Sequence, residues 1–318
     1  MTLKSILQSH NLDPRSLYDL GVRYSLFKPL LYTVAIEVTN KCNLACKICQ
    51  SRGSRPQGFM DRDLFLKVII QANEMNVPRV GLFLGGEPLL HPNFVQFMQI
   101  ACAKIPEVVY FTNGSFLDEE VIQESVNFGV NTINISLDGV RDCHERMRPG
   151  SDYQRVKKNI ERLLDIRGKN KHPIVSVNMM LCDQTEKEVQ DFIDEWAGKV
   201  DYAGISVSKP SSFQRDYEHP FWHESETYNV SYCRSPYYYM AVMWDGRVIP
   251  CCDVTGSEIV GDLNQESLQD IWYGDKMKAI RKREANTCKE CNIWQKSFVT
   301  KREDGIEYND IYKNYIKV

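Results

Sequence analysis

With 318 residues, 43% of them hydrophobic and 25% charged, the chain is long enough for one large α/β domain plus a small module. A net charge of −3 gives no electrostatic reason to expect nucleic acid or an anionic membrane as a partner. No apolar run approaches the roughly 20 residues that span a bilayer, and the opening MTLKSILQSHNLDPRSLYDL lacks the charged-then-apolar order of a secretory signal. The expected location is the cytoplasm, where eleven cysteines point to metal or catalysis rather than disulfides.

Residues 1–31 read as a helical N-terminal extension, interrupted near Pro14 and Pro29. From there to residue 208, β-branched apolar runs alternate with amphipathic stretches. Strands are expected at 33–38, 80–84, 108–111, 132–135, 174–180 and 202–207, and helices at 61–75, 93–104, 118–128, 152–168 and 185–198. Asp118 and Thr185 stand where N-caps belong. This alternation predicts a parallel sheet with crossover helices. Six strands over about 175 residues fit an α/β fold of the partial (β/α)6 barrel type better than a closed eight-stranded one. The polar motifs at 40–49, 85–88, 112–114 and 136–139 each follow a predicted strand. They therefore gather at the carboxyl ends of the strands, where sites form in such folds.

Residues 209–232 are polar and aromatic without a period, and read as a linker or an active-site cap. A hairpin turning at Asp245–Gly246 and a helix at about 267–284 then lead to Cys288-Lys-Glu-Cys291, so 233–318 forms a small hairpin-and-helix module.

Cys42-x3-Cys46-x2-Cys49 offers three thiolates from one loop. Three ligands on a four-iron cubane leave one iron open, as catalytic zinc sites keep a free position. A structural zinc loop would need a fourth ligand nearby, and neither Asn43 nor Lys47 can serve. The second group is Cys233, Cys251, Cys252, Cys288 and Cys291. Four of these could close around a metal, and by spacing alone a structural zinc site is as good a reading as an iron–sulfur one.

The cysteine loop, in the form C-x3-C-x-Φ-C with Ile48 as the apolar Φ, resembles the signature of the radical S-adenosylmethionine (SAM) superfamily. The resemblance covers about residues 33–208. It extends to Gly85-Gly86-Glu87-Pro88, similar to the family's motif for the SAM amino group, where Glu87 would offer a charge to the ammonium. Ser136 in SLDG and Arg148 in RMRPG match positions that hold SAM's ribose or carboxylate, and Asn178 is a further candidate. The implied chemistry is an open iron that chelates SAM, and cleavage of SAM to a 5′-deoxyadenosyl radical that removes a substrate hydrogen atom. An electron donor such as flavodoxin or ferredoxin is implied with it.

The C-terminal part, with WDGRVIPCC, SLQDIWYGDKMKAIRKR and CKEC, is similar to the twitch module, a shortened SPASM domain holding one auxiliary [4Fe–4S] cluster. Its ligands would be Cys233, Cys251, Cys288 and Cys291, with Cys252 left over. Two clusters and SAM are thus expected as cofactors. Three functions follow: an oxidoreductase acting on a small polar metabolite, with the auxiliary cluster taking an electron; an epimerase of a sugar or peptide with Cys252 as hydrogen donor; or a non-catalytic metal-binding or electron-transfer protein.

Overall fold

A computed structural model describes residues 21–22, 26–49, 51, 53, 55–182, 184–207, 235–255 and 257–282, together with three short strands beyond them. The expected linker at 209–232, Cys233, Cys288, Cys291 and most of the N-terminal extension lie outside the described residues.

Six parallel strands, β1 (Thr33–Ile36), β2 (Arg79–Leu82), β3 (Glu107–Thr112), β4 (Thr132–Leu137), β5 (Ile174–Leu181) and β6 (Tyr202–Val207), are hydrogen-bonded in chain order. The crossovers are α1 (Arg62–Glu74), α2 (Phe94–Cys102), α3 (Glu119–Asn127), α4 (Arg141–Met147), α5 (Tyr153–Arg167) and α6 (Val189–Trp196). Asp61, Asp118 and Asp152 cap α1, α3 and α5 by accepting from the backbone N–H of Leu64, Val121 and Arg155, each satisfying a donor the helix itself cannot pair. Thr185 departs from expectation. Its hydroxyl donates to Met180 O at 2.7 Å and makes no cap bond, and a 3₁₀ turn over Glu186–Glu188 precedes α6. A hydroxyl that finds a nearer backbone partner leaves the helix end uncapped.

Then come α7 (Ser235–Tyr238), β7 (Tyr239–Val242), β8 (Arg247–Ile249), β9 (Gly261–Asp262), α8 (Leu268–Tyr273) and α9 (Asp275–Lys282). The hairpin turns at the expected position, with Gly246 at φ +93°. The single helix expected over 267–284 is two helices, α8 and α9, meeting at Gly274. β7 pairs in parallel with β1, so the hairpin extends the barrel sheet instead of forming a sheet of its own. Further along, β10 (Val299–Lys301) pairs with β11 (Glu307–Asn309), and β12 (Tyr315–Lys317) runs antiparallel to β6 at the far end of the barrel sheet.

Along each strand alternate residues face opposite ways. Val34, Val80, Tyr110, Ile133, Val177 and Ile205 belong to the core under the helices. The other set forms the inner wall, in layers set by the register. One layer runs Phe111, Asn134, Ser176, Tyr202; two residues further along, the next runs Ser136, Asn178, Gly204. On the β1–β7 side the inner wall is a small second core of Ala35, Tyr239, Ala241, Met243, Ile249 and Val254, against which Phe83 packs.

Candidate active site at the barrel mouth

The loop carrying Cys42, Cys46 and Cys49 hangs from the segments after β2 and β3 and from the end of α4. Glu87 N–H donates to Lys41 O at 2.8 Å, Asn113 Nδ2 donates to Asn43 Oδ1 at 2.8 Å, and the loop's own Ala45 and Lys47 N–H groups donate to Pro149 and Met147 carbonyls. The two glycines of the GGEP segment are required by close approach. A Cβ on Gly86 would lie 2.5 Å from Thr39 O, and one on Gly85 would lie 2.2 Å from Glu37 Oε1. Cys42 and Cys49 are exposed and Cys46 is half-buried. The three thiols lie near enough for Cys46 to feel both Cys42 and Cys49, and for Cys42 to feel Cys49. Burial pushes the Cys46 thiol up to about 11 and raises that of Cys42. Such thiols need a bound cation to become thiolates. Among the described residues no three cysteine, histidine or carboxylate groups converge on a single-ion site. Three thiols on one loop suit a cubane, in which each thiolate meets its own iron and one iron stays open.

Glu87 has structural partners that the sequence reading did not assign to it. The side chain is buried, and both carboxylate oxygens are already engaged: Oε1 accepts from Thr112 Oγ1 (2.8 Å) and Leu89 N–H (3.1 Å), and Oε2 from Asn113 N–H (2.7 Å). It fastens the β2 loop to the end of β3, and burial pushes its carboxyl up to about 7. Pro88 is buried and opens a short 3₁₀ turn.

Arg148, at the end of α4, pairs through Nε with Asp138 Oδ2 at 2.8 Å and places Nη1 3.9 Å from Cys46 Sγ. Fully buried Asp138 also accepts from Met180 N–H at 2.9 Å, so one carboxylate joins β4, β5 and the arginine. Behind it, His144 Nδ1 accepts from Asp138 N–H, and burial, reinforced by Arg148, lowers that imidazole to about 3. Ser136 and Asn178 stand side by side in register on the inner wall. Asn178 Nδ2 donates to Asn134 Oδ1 and Ser176 Oγ, both at 3.2 Å. Ile48 is half-buried within the loop.

A buried ion pair that sequence reading passed over stands beside the loop. Glu37 and Arg55 are bonded at 2.6 and 3.0 Å, with side chains 0% and 9% exposed. Arg55 Nη1 also reaches Met243 Sδ (3.2 Å), and Glu37 Oε2 accepts from Trp244 N–H (3.3 Å). The segment behind Arg55 is clamped under the loop by Thr39 Oγ1 to Gly58 O (2.6 Å) and by Asn40, which bonds Pro56 O and Gly58 N–H. The available signal was a lone charged residue inside the apolar strand TVAIEV. Asp138, likewise unassigned, lay within the SLDG segment.

Cys251 and Cys252 follow β8. Cys251 is half-buried with Sγ 2.8 Å from Ser257 Oγ, and Cys252 is exposed. The neighbouring residues thus face different surroundings, and the inner core of the β1–β7 wall lies beside them. No helix among the described residues is long and apolar enough to cross a membrane.

Comparison with known proteins agrees with this geometry. Residues 36–195 match the family model described as the radical SAM superfamily, and residues 233–292 match an iron–sulfur cluster-binding domain, SPASM. The chain is 22% identical over 310 residues to the tungsten-containing aldehyde ferredoxin oxidoreductase cofactor-modifying protein of Pyrococcus furiosus, covering 81% of this chain and 86% of that one. It is also 22% identical to the S-adenosyl-L-methionine-dependent 2-deoxy-scyllo-inosamine dehydrogenase of Niallia circulans, covering 83% and 93%. Among solved structures it resembles Streptococcus suis SuiB bound to S-adenosylmethionine (TM-score 0.67, 15% identity, 88% of this chain and 75% of that one). The same protein bound to precursor peptide SuiA gives 0.65, at 16% identity and 84% and 70% coverage. The domains matched bring with them SAM, a SAM-binding [4Fe–4S] cluster and an auxiliary iron–sulfur cluster. The chain belongs to the radical SAM superfamily.

Proposed function

We propose that the protein is a radical SAM oxidoreductase that removes two hydrogens from a small hydroxylated metabolite. Cys42, Cys46 and Cys49 hold the SAM cluster, and Cys233, Cys251, Cys288 and Cys291 hold the auxiliary one. When bound, the SAM cluster and SAM supply a 5′-deoxyadenosyl radical, which takes hydrogen from a C–H bond. The chain's own part is orientation. Carbonyls of Gly85 and Gly86 would hold the SAM amino group, Arg148, in a position set by Asp138, would hold the SAM carboxylate, and Ser136 and Asn178 would hold the ribose. The division into 1–31, 32–208, 209–232 and 233–318 follows from these roles, with the C-terminal part serving electron exit.

The observation that carries the reading is the strand order. Cys251 follows β8, two strands from β1, whose end carries the radical loop, and an apolar inner core lines the wall that joins them. An electron left on the substrate carbon would leave along this wall toward Cys251. The reaction balances as SAM plus a secondary alcohol giving methionine, 5′-deoxyadenosine, a ketone and one proton. A flavodoxin or ferredoxin would supply the priming electron. A second reading, epimerisation, draws on exposed Cys252, which could return a hydrogen atom to the carbon radical.

Anaerobically reconstituted protein should carry about eight irons per chain, and with dithionite and SAM it should release 5′-deoxyadenosine. Product two hydrogens lighter than substrate supports oxidation; isomerised product with solvent hydrogen supports epimerisation. Absence of 5′-deoxyadenosine under reducing conditions would defeat both.

A further inference from the structure

The inner wall one pleat beneath Ser136 and Asn178 is built unlike the layer above it. Strand register puts Phe111 directly opposite Asn134, and Asn134 opposite Ser176. Phe111 belongs to the inner set, because its neighbour Tyr110 packs in the helix-side core. Its ring stacks on Phe83 at 4.2 Å and 23°, and Phe83 in turn lies over Gly81, where a Cβ would meet the ring at 2.2 Å. Phe111 is nonetheless 38% exposed. An aromatic face is therefore braced from one side and left open on the other, inside the barrel.

Beside it stand only uncharged polar groups. Asn134 is 4% exposed, its Oδ1 is occupied by Asn178 Nδ2, and its Nδ2 donors have no partner among the described residues, in register with Phe111. The charges nearby are spoken for: Glu37 by Arg55, and Asp138 by Arg148. Among the described residues of this wall, no cation is left to neutralise a substrate carboxylate or phosphate, whose burial would then be costly.

We propose that Phe111 and Asn134 form the substrate-recognition floor, and that it takes a hydroxylated six-membered ring, a cyclitol or monosaccharide without an anionic group. The C–H face of such a ring is weakly positive and seats on the negative face of an aromatic ring. A ring hydroxyl accepts from Asn134 Nδ2. Neighbouring strands lie about 4.8 Å apart, so a ring stacked on Phe111 brings a rim hydroxyl toward the Asn134 amide on the adjacent strand. Ring carbons resting there lie directly under the SAM layer, where a hydrogen atom is to be removed. This inference rests on the oxidoreductase reading and adds the substrate class and the two residues that select it.

The test uses reconstituted holoprotein with dithionite, SAM and ring-deuterated probes: myo-inositol, glucosamine and 2-deoxy-scyllo-inosamine. The readout is deuterium carried into 5′-deoxyadenosine per molecule of 5′-deoxyadenosine released. Wild type should take deuterium from at least one of the three. Phe111→Ala and Asn134→Ala should each lower the transfer efficiency, as kcat/KM for the probe, at least tenfold, mainly through KM. Should either variant lose iron, Phe111→Leu and Asn134→Ser replace it. Release of 5′-deoxyadenosine with no deuterium from any probe would overturn the substrate class while leaving radical chemistry intact. Transfer that neither substitution weakens would overturn the assignment of the floor.

Discussion

Removing one partner of the Glu37–Arg55 pair tests whether that pair holds the radical loop and the C-terminal hairpin together. Arg55→Met keeps a long apolar stem and leaves the Glu37 carboxylate, fully buried, without its cation. Breaking a buried pair from one side costs about 3–5 kcal/mol, because an uncompensated charge stays behind. For a chain of 318 residues that is a drop of about 4–8 °C in the unfolding midpoint. Replacing both residues, Glu37→Met with Arg55→Met, removes the stranded charge. What remains lost is the acceptor for Trp244 N–H, a buried donor left unpaired at about 1–3 kcal/mol. The double variant should therefore regain a substantial part of the single variant's loss. Thermal scans of anaerobic holoprotein, at one heating rate for all variants, decide it. A single variant within about 1 kcal/mol of wild type, or a double variant as unstable as the single, would refute the reasoning.

The remaining predictions concern Glu87 and the C-terminal thiols. Glu87→Gln sets an amide nitrogen against either Asn113 N–H or Leu89 N–H, so two donors meet where a carboxylate oxygen accepted. SAM affinity should fall at least tenfold by equilibrium dialysis, because the loop carrying Gly85 and Gly86 loses its tie to the end of β3, a charge-assisted bond of about 1.5–3 kcal/mol. Burial holds the Glu87 carboxyl near 7, so lowering the pH through 7 protonates it and removes that acceptor. Wild-type SAM affinity should weaken on the acid side and the Gln variant should not share that slope; equal slopes would exonerate Glu87. Cys251→Ala should lose about four irons while Cys252→Ala keeps them, with the reverse pattern reassigning the ligand. Cys252→Ala should also leave turnover within a few-fold if oxidation is the reaction, whereas epimerisation would cease.

Much of the architecture is legible in the amino-acid sequence itself. The six strands, the hairpin at Gly246 and the Asp118 cap follow from local chemistry, a two-residue alternation or a single side chain reaching a nearby N–H. The cysteine loop and GGEP are legible for the same reason, being short and contiguous. Which face of each strand turns inward is not, because strands in a parallel sheet are buried on both sides and read as continuous apolar runs. The layer joining Phe111 to Asn134 therefore emerges only from register. The tie that Glu87 makes to Thr112 and Asn113 is not legible, because these partners lie 25 and 26 residues away. Glu37 and Arg55, 18 residues apart and joined only by folding, leave no pattern to count. The break at Gly274 is in principle readable, since glycine disfavours a helix interior.

The pairing of β7 with β1 bears on how this protein can be dissected. A polypeptide cut before α7 would not yield a barrel and a detached module. It would strip the outer edge of β1 of the hydrogen bonds that Tyr239–Val242 supply, and leave Ala35 and Phe83 facing solvent where Ala241, Met243 and Ile249 had covered them. An uncovered edge next to an apolar face is a template for association with other chains. Expression of residues up to 208 alone should accordingly yield aggregate, and exchange of C-terminal parts between relatives should succeed only where the junction preserves β7 along with its partner strand.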